Sequence, residues 1–471
     1  MLRICSGFSK FTFLGATKVL LFYSKSTDEF RSGLRRHSQV QVVAMVLPFS
    51  WPYRPFFALA RPTSRKDSRN VRTNTNQSHR IVSRDELSSS GGIHISLDLL
   101  GLAVGATIGV GTPPQNVSLL IDTGSSVTII GGQGPKFIAT NTTIVTGNVL
   151  NATFGTGETV GIEGESRNIS IFRNFNLTKH LVLESVTLVP GFTIANQSIG
   201  VIAAISSDFP GIDGLIGLGM NTILSLPTTN KFSKAPKDSS HFEFATVDNR
   251  TAPTLVDTAF DQGLISEDLF GIGLSMNVAL NTGNPEDFKA VGELNLGGIS
   301  TDLFCGNMTF ISTVTPPNPG ANAWSVGPAS LSIGNSSLSN DSTIIFDTGS
   351  SLLFLPDDQF KQYQDATGGV FNETDGLLHY TISQVMTFPP FVVEINGISF
   401  SIPALAQLSE SELLGGGPGD FVALVGNFSP LKTNETLMGF PWFSQFYMAF
   451  DNTNKEVGIA KSINAVDGCP P

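Results

Sequence analysis

The chain has 471 residues, of which 41% are apolar and only 14% charged, with a formal net charge of −11. That is long and apolar enough to bury a sizeable core, in one bilobal unit or in two or three smaller ones. The charge is divided. Residues 1–92 carry 15 Lys and Arg against 5 Asp and Glu, a net of +10, and the remainder carries 13 against 34, a net of −21. The acidic body has no basic cluster to extend a cationic surface, so no nucleic-acid partner is expected. The three cysteines, Cys5, Cys305 and Cys469, have neither CxxC nor Cys/His spacing, so neither metal nor other cofactor is expected.

Residues 1–60 read as a targeting segment or an N-terminal extension. "FTFLGATKVLLFY" (11–23) and "MVLPFSWPYRPFFALA" (45–60) are both signal-like, though each is interrupted by a basic residue, Lys18 or Arg54. Residues 61–92 are a basic pro-segment or linker, polar through Arg84 and ending in "SSSGG" (88–92). From Ile93 the texture turns to short apolar alternations cut by glycine turns, which predicts an all-β body. The two best helical signals are "EDLFGIGL" (267–274) and "PDDQFKQYQDAT" (356–367). No run of 18 apolar residues occurs, so no transmembrane segment is expected. Thirteen Asn-x-Ser/Thr sequons fall between Asn116 and Asn434, with Asn76 upstream, which suggests a secretory glycoprotein. In an oxidising compartment Cys305 and Cys469 can form one bridge, with Cys5 on a removed segment; two unrelated thiols is the alternative.

The dominant feature is a repeat. "SLLIDTGSSVTII" (118–130) drives Asp122 into an apolar strand, and "TIIFDTGSSLLFL" (343–355) does the same with Asp347. Each aspartate is followed by two apolar residues and a glycine, Leu215-Ile216-Gly217 and Leu437-Met438-Gly439, which end 95 and 92 residues downstream. One D-T-G-S is an ordinary turn; two with matched downstream partners indicate two homologous β-lobes.

The repeat has a chemical meaning. A buried carboxylate is costly unless hydrogen-bonded or partnered. Two lobes meeting symmetrically put Asp122 and Asp347 side by side, where like charges cannot both ionise and one proton is shared. Such a dyad has one acid and one base for adding water to an amide carbonyl, with no metal or covalent intermediate. Gly124 and Gly349 let backbone amides point at the carboxylates, Thr123 and Thr348 can bond across the junction, and Ser125 and Ser350 can reach the outer carboxylate oxygens. No G-x-S-x-G or H-E-x-x-H is present and the six histidines are scattered, which leaves other hydrolase classes without residues.

From about Ile93 to Ala460 the chain resembles the pepsin-like aspartic endopeptidases, and among them the secreted fungal branch. "VGTPPQ" (110–115), "GIDGLIGLG" (211–219), "DTAFDQGLISEDLF" (257–270), "GELNLGGIS" (292–300) and "FYMAFDNTNKEVGIA" (446–460) extend the likeness beyond the paired D-T-G-S. The resemblance implies a bilobal fold with a cleft between an N-terminal lobe, 93–298, and a C-terminal lobe, 299–471. It implies an acid endopeptidase acting as a monomer on extended peptides with bulky apolar residues, and inhibited by pepstatin-like molecules. It also implies a β-hairpin flap, here 152–165, with Phe154, Gly155, Thr156 and Gly157 at the tip over substrate.

Three positions depart from the family pattern. Phe154 stands where a tyrosine is usual, and Ile129 where that tyrosine's tryptophan partner is usual. Phe440 stands where aspartate is frequent. One neutral hydrogen bond is worth about 0.5–1.5 kcal/mol, so altered flap behaviour is expected and loss of catalysis is not. The basic head fits a cationic pro-segment that covers an acidic cleft and is released as carboxylates protonate. A secreted location is expected, with a vacuolar one as alternative. The competing reading is a catalytically silent relative that binds peptides or proteins in its cleft.

Overall fold

The computed structural model describes residues 21–24, 41–44, 79–87, 92–100, 103–131, 137–153, 159–160, 180–201, 212–220, 246–247, 253–275, 291–315, 323–373, 375–410, 420–428 and 434–469. The chain divides into two units, Met1–Thr75 and Asn76–Pro471. Within the first, Leu21–Ser24 pairs antiparallel with Gln41–Ala44. The second holds everything that follows.

It is built almost wholly of strands, as its alternating apolar pattern predicts. In chain order the elements used below are β1 (His79–Val82), β2 (Ile93–Leu100), β3 (Ala103–Val110), β4 (Gln115–Asp122), β5 (Thr128–Ile130) and β6 (Ile144–Thr153). Next come β7 (Thr159–Val160), β8 (His180–Val189), β9 (Phe192–Val201), β10 (Gly214–Gly217) and helix α1 (Leu255–Asp261). Then follow β11 (Leu269–Leu274), β12 (Gly292–Leu296), β13 (Phe304–Ser312), β14 (Trp324–Ile333), β15 (Ser336–Phe346), β16 (Leu353–Leu355) and helix α2 (Asp357–Thr367). The last are β17 (Phe391–Ile395), β18 (Val425–Asn427), β19 (Glu435–Met438), helix α3 (Phe440–Phe443), β20 (Phe446–Asp451) and β21 (Glu456–Ser462).

The two lobes repeat one arrangement. In the first, β4 runs antiparallel to β3 and parallel to β10, β10 runs antiparallel to β5, and β5 runs parallel to β9. In the second, β15 stands in the same relations to β14 and β19, β19 to β16, and β16 to β18. The duplicated motif is therefore a duplicated topology, and the bilobal all-β expectation holds. The lobes meet in a shared sheet whose strand order continues β4-β3-β2-β12-β11-β20-β21-β13-β1. It crosses the 298/299 boundary drawn from the sequence, because β20 pairs with β11.

Of the two helical signals, 356–367 becomes α2, ended by Gly368 at φ 70° in the left-handed region. The stretch 267–274 does not form a helix; it is the strand β11, and the helix of this region lies earlier, at α1. The reason is tertiary. All six residues of β11 are buried, between β12 and β20. Its two glycines are where Tyr447 lies: a Cβ on Gly271 would sit 2.0 Å from the Tyr447 hydroxyl, and one on Gly273 3.0 Å from its ring. Glycine also disfavours a helix by about 1 kcal/mol at each position, so close packing in the sheet wins.

At the centre of the shared sheet Phe270 stacks on Phe450, with ring centroids 4.8 Å apart, and Trp324 lies 5.2 Å from Phe450. At the far edge β1 pairs with β13. There Arg80 bonds Glu456 at 2.8 Å and lies 3.9 Å from the centre of the Phe310 ring. Cys305 on β13 is disulfide-bonded to Cys469, which ties the segment after β21 to the same edge. Among the described residues no helix is long and apolar enough to cross a membrane.

Candidate active site

Each aspartate sits where an aspartate strand ends against its parallel neighbour. Asp122 is the last residue of β4, opposite Gly217, and Asp347 follows Phe346, which lies opposite Met438. The residues before them, Ile121 and Phe346, are fully buried, so both loops leave rigid apolar strands. Behind β4, the Ser118 N–H donates to Asp213 Oδ2 at 2.9 Å and the Asp213 N–H donates back to the Ser118 carbonyl at 2.8 Å. In the sequence Asp213 stands out only as part of "GIDGLIGLG" (211–219).

The two loops are near mirror images in their bonding. Gly124 N–H donates to Asp122 Oδ1 and Gly349 N–H to Asp347 Oδ1, both at 2.8 Å. Ser125 Oγ donates to Asp122 Oδ2 at 2.5 Å and Ser350 Oγ to Asp347 Oδ2 at 2.6 Å. Across the junction, Thr123 Oγ1 donates to the Phe346 carbonyl at 2.9 Å and Thr348 Oγ1 to the Ile121 carbonyl at 2.7 Å. The glycines are required by close approach: a Cβ at Gly124 would lie 2.7 Å from the Asp347 carboxyl carbon, and one at Gly349 3.0 Å from that of Asp122. Any other residue would push the carboxylates apart.

The two carboxyl groups are within hydrogen-bonding reach of each other, and their environments differ. Asp122 is buried, whereas Asp347 is half-buried. Burial, followed by the charge of Asp347, pushes Asp122 up to about 8, against the opposing bonds from Ser125 and Gly124. Two carboxyl groups of unequal burial thus face one another across the junction, an arrangement suited to acid–base work on one bound molecule.

Of the flap, β6 and β7 pair antiparallel up to Thr153 opposite Thr159. Phe154, Gly155, Thr156 and Gly157 lie outside the described residues. Ile129 is fully buried in β5, between β9 and β10. Phe440 opens α3, and its N–H donates to the Ser350 carbonyl at 2.9 Å. Among the described residues no cluster of three or more His, Cys, Asp or Glu could hold a metal ion. Sequence reasoning missed Trp324, whose indole Nε1 donates to the Leu218 carbonyl at 2.8 Å. No local pattern marks it, because the partners are 106 residues apart.

A family model for eukaryotic aspartyl proteases matches residues 104–462. Polyporopepsin from Irpex lacteus is 27% identical over 358 residues, covering 75% of this chain and 92% of that protein. Pepsin A from Rhinolophus ferrumequinum is 26% identical over 361 residues, covering 75% of this chain and 80% of that protein. The crystal structure of the aspartic proteinase from Irpex lacteus matches with a TM-score of 0.63 at 25% identity, covering 80% of this chain and 99% of that one. With paired aspartates on duplicated strands and a family model spanning most of its length, the chain belongs to the eukaryotic aspartyl protease family, the pepsin-like aspartic endopeptidases.

Proposed function

We propose that the protein is a secreted acid endopeptidase in which Asp122 and Asp347 share one proton and activate a water. The observation that carries this is the asymmetric environment of two touching carboxyls, with Asp122 pushed up to about 8. Asp347, the more exposed of the two, takes a proton from the water as its oxygen attacks the peptide carbonyl. Asp122 gives its proton to the carbonyl oxygen, which yields a neutral tetrahedral diol. Transfer of a proton to the amide nitrogen then lets the carbon–nitrogen bond break, and the dyad returns to its singly protonated form. The bonds from Gly124, Ser125, Gly349 and Ser350 hold the carboxyls in plane during these steps.

The substrates are extended peptides with bulky apolar residues, covered by the hairpin of β6 and β7. Secretion is supported by the Cys305–Cys469 disulfide and by exposed sequon asparagines such as Asn116, Asn307 and Asn335. Residues 61–92 act as the pro-segment, and 79–82 are held on the sheet edge partly through Arg80 and Glu456.

Two measurements test this reading. A peptide-cleavage assay between about pH 2 and 5, with and without a pepstatin-like transition-state mimic, should show inhibitable cleavage; its absence sinks the proposal. N-terminal sequencing after incubation near pH 3 should reveal a new terminus between residues 85 and 93. An unprocessed, inactive chain would count against the pro-segment.

A further inference from the structure

The two halves of the site also differ in how the backbone of each aspartate is anchored. In the first lobe the Leu218 N–H donates to the carbonyl of Asp122 itself, at 2.7 Å. In the second lobe the matching residue after the glycine, Phe440, sends its N–H to the Ser350 carbonyl, and among the described residues the backbone donor to the Asp347 carbonyl is the Ser350 N–H at 3.3 Å. The Leu218 peptide is thus a direct backbone anchor for one aspartate, and its own carbonyl is the acceptor for the Trp324 indole.

Trp324 is placed to connect the halves. Its main chain opens β14 and lies opposite Phe346, the residue before Asp347. Its side chain, 1% exposed, crosses into the first lobe and ends on Leu218. The ring is held by Phe270, edge-on at 6.0 Å, and by Phe450 at 5.2 Å. One rigid residue therefore spans from the strand carrying Asp347 to the anchor of Asp122, by a route separate from the Thr123–Thr348 bonds.

We propose that Trp324 is a positioning residue for the dyad: through Phe346 on one side and Leu218 on the other, it sets how far the Asp122 loop stands from the Asp347 loop. This rests on the reading of the two aspartates as the reacting groups. A shared proton is sensitive to that spacing, because the two carboxyls must stay in hydrogen-bonding contact. The indole N–H supplies the one polar end of an otherwise apolar link, and without it the Leu218 carbonyl is left without its side-chain donor.

The test compares three variants of the acid-activated enzyme on one peptide substrate. Trp324→Phe removes the N–H and shrinks the ring. Replacing the Trp324 indole by benzothiophene removes the N–H and keeps the bicyclic shape, so the link can be tested even if Trp324→Phe does not fold. Phe270→Leu loosens the same aromatic packing and leaves the N–H in place. The expected result is a fall in kcat of about tenfold in both Trp324 variants, the kinetic equivalent of one neutral hydrogen bond. KM should stay within about twofold, and the upper limb of the kcat–pH profile should shift. Phe270→Leu should lower the thermal midpoint and leave that limb unmoved. Wild-type kcat and pH profile in the benzothiophene variant would overturn the proposal, as would Phe270→Leu reproducing the shifted limb. Asp122→Asn, run in parallel, separates the two levels: cleavage by that variant defeats the dyad reading itself, whatever the Trp324 variants do.

Discussion

Thr123 and Thr348 each donate a backbone N–H to the other's hydroxyl oxygen, at 3.1 and 3.0 Å, and each hydroxyl then donates onward to a carbonyl of the opposite lobe. Both side chains are buried, so water cannot replace these bonds. Thr123→Ala or Thr348→Ala leaves buried donors and acceptors unpaired, at a cost of about 1–3 kcal/mol for each group. The Thr→Ser variants keep every bond and should lose little. Urea midpoints for the four variants check this, and Ala variants as stable as the Ser variants would refute it.

For the dyad, Asp122→Asn and Asp347→Asn should each abolish cleavage, because either removes the shared proton. The pH dependence follows from Asp122. Held at about 8, it keeps its proton below that value and loses it as pH rises through it. The upper limb of the activity profile should therefore lie above the ordinary carboxylate value of 3.8, the shift that burial and the charge of Asp347 impose. The measurement is kcat/KM against pH, with circular dichroism on the same samples. An upper limb at the ordinary carboxylate value while the fold is intact would contradict this assignment.

A second acid group bears on the fold. Asp268 is raised to about 6, first by burial and then by the charge of Asp257, with Asp261 adding to the effect and Asn452 and Lys455 opposing it. Asn452 Nδ2 donates to both Asp257 Oδ1 at 2.9 Å and Asp268 Oδ2 at 2.7 Å, so one amide bridges α1, the start of β11 and the turn after β20. A raised carboxyl favours the folded state when protonated. Its contribution is complete below the unfolded value of 3.8 and is lost as pH rises through about 6. Asp268→Asn, which keeps a neutral side chain, should be more stable than wild type at pH 7 and similar at pH 4. Thermal midpoints at the two pH values decide it; an equal difference at both would dismiss the effect.

The Cys305–Cys469 bridge closes a separation of 164 residues. Cys305→Ser or Cys469→Ser should cost about 2–5 kcal/mol, the usual range for a native disulfide in a secreted domain. Equal urea midpoints for oxidised and reduced wild type would show that the bridge contributes nothing.

The sequence made most of the site legible because its chemistry is local. Asp, Thr, Gly and Ser are adjacent, and their carboxylate-directed bonds span only two or three residues. Helix α2 was legible for the same reason, carrying its own stop at Gly368. What was hidden depends on distant partners. The stretch 267–274 is a strand because Tyr447 covers Gly271 and Gly273. Trp324 matters because of Leu218, and Asp268 because of Asn452. None of these pairs leaves a periodicity to read.

The shared sheet also dictates when the enzyme can first exist. Strand β20 lies between β11 and β21, so the sheet joining the lobes is incomplete until Phe446–Ser462 has been made. A ribosome synthesises Asp122 324 residues before Phe446. From the completion of β11 at Leu274 until Phe446 follows, 172 residues later, the β20 edge of that strand has no partner, and a pairing of such long range is a slow one to form. A chain that ends before Phe446 is thereby left with the β11 edge of that sheet open.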